Sequence, residues 1–158
     1  VDILTESERV FCFGQGGSSI LAMEAWGRFI TAANHFYHVA DNHLQAMTAA
    51  LMGPKDAILF FSYSGSTRDM LEILPLVREK GVKVILITHF PDSEGSQFAD
   101  TVLLCGSNEG PLQMGSIAAK VAQLFLIDIL FNEYCRRDIG KTMLDREATT
   151  KAITGKML

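Results

Sequence analysis

The chain has 158 residues, 48% of them hydrophobic and 20% charged, with a net charge of −4. That profile describes one ordinary domain with a sizeable core and excludes a disordered chain. The acidic balance argues against this domain itself gripping nucleic acid, which selects basic patches.

The segment RVFCFG, Arg9–Gly14, predicts a first strand that runs into QGGSS. From Ile20 to Thr31 a helix follows, with Leu21, Ala25, Phe29 and Ala32 at helical spacing. HFYHVA, His35–Ala40, is a second strand interrupted by histidines. Asn42 is the expected cap of a helix whose face carries Leu44, Met47, Ala50 and Leu51. AILFFS, Ala57–Ser62, is the third strand, and a helix from about Ser66 to Lys80 stops at Gly81. VKVILIT, Val82–Thr88, is unbroken in apolarity, as a strand covered on both faces should be. TVLLC, Thr101–Cys105, is a fifth strand. The longest helix is expected over Leu112–Tyr134, apolar enough for the core or a subunit interface, and an amphipathic segment Lys141–Ile153 closes the chain. Strand and helix alternate throughout, which predicts a three-layer α/β/α sandwich around a parallel sheet reached by right-handed crossovers.

No apolar run reaches the ~18 residues of a membrane span, and the N-terminal VDILTESERV has no basic-plus-apolar leader. Cys12, Cys105 and Cys135 show no CxxC spacing and read as reduced thiols in a reducing, cytoplasmic setting, with no zinc site. The chain starts at Val1 without a methionine, and we expect a piece of a longer protein.

Ligands in such sheets bind beyond the carboxyl ends of the strands, where the strand order reverses. Two strand ends carry unusual chemistry. After strand three, Ser62-Tyr63-Ser64-Gly65-Ser66-Thr67 places four hydroxyls within six positions. Ser66 followed by Asp69 matches a capping box, so the helix is expected to begin there, with its N–H groups and dipole facing the loop. The hydroxyls of Ser62, Ser64, Ser66 and Thr67, with Gly65 allowing close approach, then form a cradle for phosphate. The competing reading is a helix cap and a serine turn. A cap needs one hydroxyl, so four favour the ligand. After strand one, Gly14-x-Gly16-x-x-Ser19 nearly matches the dinucleotide fingerprint, and Asp41 stands where a ribose-binding acid would sit. Ser19 replaces the third glycine, however, and a dinucleotide site has no use for a second cradle after strand three.

Weaker candidates complete the set. His43 is expected to face the crevice or a partner subunit, whereas His35 and His38 read as packed or surface residues. His89 lies at the functional edge without an obvious partner. Glu109, in SNEGP, reads either as a solvated loop carboxylate or as a general base beside a sugar carbon. SYSGS lacks the first glycine of a nucleophile elbow, and no GxxxxGK[ST] phosphate loop is present.

GQGGSS after strand one, FSYSGSTRDML after strand three and VKVILIT further on resemble the sugar isomerase (SIS) domain across essentially the whole chain. The resemblance implies a five-stranded parallel sheet of flavodoxin-like kind that binds a phosphosugar without a cofactor or metal, as a homodimer or homotetramer. On it, Ser62, Ser64 and Thr67 match the phosphate ligands, and Ser18 matches the strand-one serine that contacts the ligand. Ser66, Ser19 and His43 join these as candidates.

Within the family, the segments ADNHLQAMTAALMGPKDAILFFSYSGSTRDMLEILPLVREKGVKVILIT, EGPLQMGSIAAKVAQLFLIDILF and KTMLDREATTKAI are most similar to RpiR-type transcriptional regulators. There a helix-turn-helix domain precedes a phosphosugar-sensing domain. DNA would therefore be met only through a domain absent from this chain. The alternative implied by the family is an aldose–ketose phosphosugar isomerase with Glu109 as general base. No histidine follows His89, so ring opening would fall to His43, His89 or another subunit.

Overall fold

The computed structural model describes residues 1–106 and 116–155. Its strands are β1 (Arg9–Gly14), β2 (Phe36–His38), β3 (Asp56–Phe61), β4 (Lys83–Thr88) and β5 (Thr101–Leu104). Its helices are α1 (Asp2–Glu6), α2 (Gly17–Phe29), α3 (Asn42–Ala50), α4 (Arg68–Glu79), α5 (Ile117–Arg137) and α6 (Ile139–Thr154), with a 3₁₀ turn at Glu94–Phe98. The five strands form one sheet in the order β2-β1-β3-β4-β5, and every pairing is parallel. This is the expected three-layer α/β architecture.

The apolar strands read as unbroken runs because each faces a core on both sides. In β3, Ala57, Leu59 and Phe61 enter one core, and Ile58 and Phe60 enter the other. β1 divides the same way, Val10 and Cys12 against Phe11 and Phe13, and β4 sends Ile85 and Ile87 opposite to Val84 and Leu86. The first core is closed by Leu4 of α1, by Leu21, Ala25 and Phe29 of α2, and by Ile127, Phe131 and Tyr134 of α5. The second is closed by Ala49 of α3 and by Met70, Ile73, Leu74 and Val77 of α4. Phe29 stacks on Phe36 at 4.3 Å and meets Phe131 edge-on, which joins α2, β2 and α5.

Several boundaries differ from the expectation. α1 has no periodic signal in its five residues, and it forms by inserting one side chain, Leu4, that is fully buried. α2 starts at Gly17, three residues early, because Gly16 takes a positive φ of 54° as its N-cap. Asn42 is the first residue of α3 and not its cap. That role belongs to Asp41, whose Oδ1 accepts from the Leu44 N–H at 2.9 Å. Gly81, at φ 72°, ends the α4 segment as expected. Within the described residues α5 runs from Ile117, with Ser116 as N-cap.

At the amino-terminal ends of β1 and β3, Arg9 and Asp56 are register partners, and their side chains form a bidentate pair at 2.8 and 2.7 Å. Asp56 also accepts from the Gly53 N–H at 2.8 Å. Burial works to raise its pKa, but the bonds from Arg9 and Gly53 outweigh it and hold the carboxyl below its ordinary value.

Candidate functional site

In the order β2-β1-β3-β4-β5 the direction of winding reverses between β1 and β3, and the crevice at the carboxyl ends of these strands is the natural ligand site. Gly14 and Phe61 are the last paired residues of the two strands, so the loops that follow leave the sheet side by side. One loop carries Ser18 and Ser19. The other carries Ser62, Ser64, Ser66 and Thr67.

The second loop is held by backbone constraints. Gly65 takes φ 62°, and a Cβ there would lie 2.0 Å from Ser93 Oγ and 2.9 Å from Thr88 Oγ1. Its N–H donates to the Ser62 carbonyl at 3.1 Å, and its own carbonyl accepts from Gly95 N–H at 2.8 Å. Thr88 at the end of β4 donates its hydroxyl to the Tyr63 carbonyl at 3.0 Å, and the His89 N–H donates to the same oxygen. The turn is thereby fixed before any ligand arrives.

The expected capping box is not formed. α4 begins at Arg68 with Thr67 as N-cap, and the Thr67 hydroxyl makes no cap bond. It bonds instead to the buried Ser62 hydroxyl at 3.1 Å. Asp69 turns away to accept from Asn42 Nδ2 at 2.5 Å, which ties the N-terminus of α3 to that of α4. The Ser64 hydroxyl accepts from the Ser66 N–H at 3.3 Å. The first turn of α4 therefore presents its N–H groups and dipole without a side-chain cap, ringed by hydroxyls. That is an arrangement for an anion.

The first loop is equally close-packed. A Cβ on Gly14 would fall 2.6 Å from the Ser18 carbonyl oxygen, so only glycine lets the chain fold back over β1. Ser18 and Ser19 lie in the first turn of α2, and their N–H groups donate to the Gln15 and Gly16 carbonyls at 3.0 and 3.2 Å. Burial lowers the pKa of the His38 ring, at the end of β2, against the opposing effect of the Ser19 backbone. Gln45, fully buried on α3, escaped the sequence reading. Its amide donates to the Gly14 and Val39 carbonyls at 3.1 and 2.7 Å and accepts from Gln15 Nε2 at 2.9 Å. No sequence pattern marked it, because the expected apolar face of Leu44, Met47, Ala50 and Leu51 is exposed and α3 buries Gln45 and Ala49 instead. Asp41, the acid of the nucleotide reading, is spent on the cap of α3.

His43 is exposed at the start of α3 and lines a cleft between α3 and α4 with Asn42, Asp69 and Glu72, whose lining includes none of the loop hydroxyls at the crevice. Glu109 lies outside the described residues. Among the described residues no cluster of His, Cys, Asp and Glu is arranged to hold a metal. Burial pushes the Cys105 thiol up to about 11 and the fully buried Cys12 higher still, so neither is a ready nucleophile.

The family model for the SIS domain matches residues 3–133. The chain belongs to the SIS-domain family. This SIS domain is 30% identical over 131 residues to an uncharacterised HTH-type transcriptional regulator of Haemophilus influenzae, covering 83% of the present chain and 46% of that protein. It is 27% identical over 137 residues to the HTH-type transcriptional regulator RpiR of Escherichia coli, covering 87% and 46% of the two chains. Among solved structures, the Vibrio vulnificus NanR protein complexed with ManNAc-6P superposes with a TM-score of 0.91 at 27% identity, covering 99% of the SIS domain and 59% of that chain. The SIS domain thus spans about half the length of the regulators it matches.

Proposed function

We propose that this SIS domain is the effector-sensing domain of a transcriptional regulator of sugar metabolism, binding a phosphosugar in the crevice between β1 and β3. The observation that carries the reading is the loop Ser62–Thr67, whose hydroxyls ring the side-chain-uncapped N-terminus of α4 at the switch point of the sheet. In this reading Ser62, Ser64, Ser66 and Thr67 hold the phosphate, and Ser18, Ser19 and His43 border the sugar. Similarity to the NanR protein, solved with ManNAc-6P, supports a phosphorylated sugar as the ligand class. Similarity to HTH-type regulators about twice as long supports a helix-turn-helix domain ahead of this one in the full-length protein. DNA is then contacted through that domain, in the cytoplasm, and the ligand acts by binding two conformations with different affinity.

A homodimer or homotetramer is part of the proposal. Along α5, Ile117, Val121, Leu124, Phe125 and Ile129 recur at helical spacing and are 41–79% exposed, an apolar stripe suited to a second copy of the chain.

The test is a thermal-shift screen against sugar phosphates, amino-sugar phosphates including ManNAc-6P, their unphosphorylated parents, and NAD. A ligand at about 100 times its Kd stabilises by ~2.7 kcal/mol, a rise of roughly 5–11 °C for a domain of this size. A shift with one phosphosugar and none with its parent is expected. A shift with NAD alone would overturn the reading. The isomerase reading predicts turnover that Glu109→Gln abolishes, and it fails if no aldose or ketose phosphate gives product by NMR.

A further inference from the structure

Building on the phosphosugar reading, we propose that His89 is a ligand-binding residue that selects the sugar: its Nε2 accepts a hydrogen bond from a sugar hydroxyl while the cradle holds the phosphate. His89 follows β4 directly, and its N–H donates to the Tyr63 carbonyl inside the cradle loop, between Ser62 and Ser64. Its ring lies parallel to the Tyr63 ring, with centroids 5.1 Å apart and planes 4° from coincident. Phe90 meets both rings edge-on and lines a groove with Ser64, Ser66 and Ser93. The imidazole is therefore clamped against the cradle.

The clamp also sets the proton. Nδ1 lies 3.0 Å from the Cys105 carbonyl oxygen. A carbonyl only accepts, so Nδ1 carries hydrogen, and in the neutral tautomer the lone pair is then on Nε2. Gly106 guards this contact: it takes φ 125°, and a Cβ there would fall 2.4 Å from Nδ1. Among the described residues Nε2 has no hydrogen-bond partner, although the ring is only partly buried. Packing and a backbone bond fix one tautomer and leave the other nitrogen as an acceptor at the functional edge. They suit the recognition of a hydroxyl, whose loss leaves a polar group unpaired.

The experiment is ¹⁵N NMR of the whole chain, following the His89 ring and the amides of Ser64 to Thr67, with and without the most stabilising sugar phosphate of the screen and with inorganic phosphate. We expect Nδ1 protonated in the ligand-free protein and an Nε2 shift with the sugar phosphate but not with phosphate alone. His89→Asn, which keeps a donor for the Cys105 carbonyl but loses Nε2, should weaken the sugar phosphate about tenfold and leave inorganic phosphate unchanged. An Nε2-protonated ring, or a silent ring while the cradle amides move, would overturn the role of His89 and leave the phosphate reading intact. Cradle amides that ignore every phosphate would instead overturn the phosphate reading.

Discussion

At the scale of single residues, the proposed cradle separates hydroxyls bonded within the fold from those left to a ligand. Ser62 is buried and its hydroxyl is paired with that of Thr67. The sequence pattern implied that these hydroxyls act on the ligand alone, and the structure assigns this pair a second task. Thr67→Ala should therefore weaken phosphosugar binding by about 1–3 kcal/mol and also cost the unliganded protein ~1 kcal/mol, because Ser62 loses its partner. Ser64→Ala should produce the same loss of affinity with an unchanged melting curve, since Ser64 accepts only a long bond from the Ser66 N–H. Calorimetric titration together with urea unfolding of both variants reads the contrast directly. Equal effects of the two substitutions on apo stability would contradict it. Gly65 is governed by sterics. Gly65→Ala combines a left-handed backbone with a contact at 2.0 Å, and about 2–4 kcal/mol of stability should disappear in the same unfolding measurement.

At the scale of elements, the pairing of β1 with β3 is what creates the crevice, and it is pinned at its far end by Arg9 and Asp56. Asp56 has a folded-state pKa below its ordinary value of 3.8, so it binds protons less readily in the native than in the unfolded chain. Its contribution is therefore fully present above pH 3.8 and is lost as the pH falls below that value toward the depressed folded pKa. Asp100, bonded to Lys83 and to the Val84 N–H, acts in the same sense. Asp56→Asn should lower the melting temperature at pH 7 and flatten the decline of stability with acid. Melting curves recorded from pH 7 to pH 2.5 would show this, and parallel wild-type and variant profiles would refute it. Element boundaries were legible where periodicity or glycine marks them, as in Arg9–Gly14 and at Gly81. They were illegible for α1, which is too short to show a period, and for the start of α4, where Asp69 prefers a neighbouring helix over its own cap.

At the scale of the whole molecule, α5 covers one core with Ile127, Phe131 and Tyr134 while turning Phe125, 67% exposed, and Val121, 57% exposed, outward. A monomer seldom leaves such a stripe in water. Phe125→Glu should convert a dimer or tetramer into a monomer in sedimentation velocity without altering the circular dichroism, because the side chain packs on nothing in its own core. A wild type that sediments as a monomer at tens of micromolar would remove the stripe from consideration as an interface.

Alternation of strand and helix, the double-sided apolarity of Ala57–Phe61 and Val84–Ile87, and the hydroxyl-rich loop after β3 were written in local sequence, since each depends on neighbours a few positions apart. The three-layer architecture followed from them, and so did the choice of the loop after β3 as the proposed phosphate cradle. Only the tertiary structure decided that β1 and β3 are adjacent, that Gln45 stitches the first loop to α3, and that His89 is clamped between Tyr63 and the Cys105 carbonyl. These facts join residues 16 to 47 positions apart in the chain. No local propensity encodes such distances, and they arise from the order in which the strands take their places in the sheet.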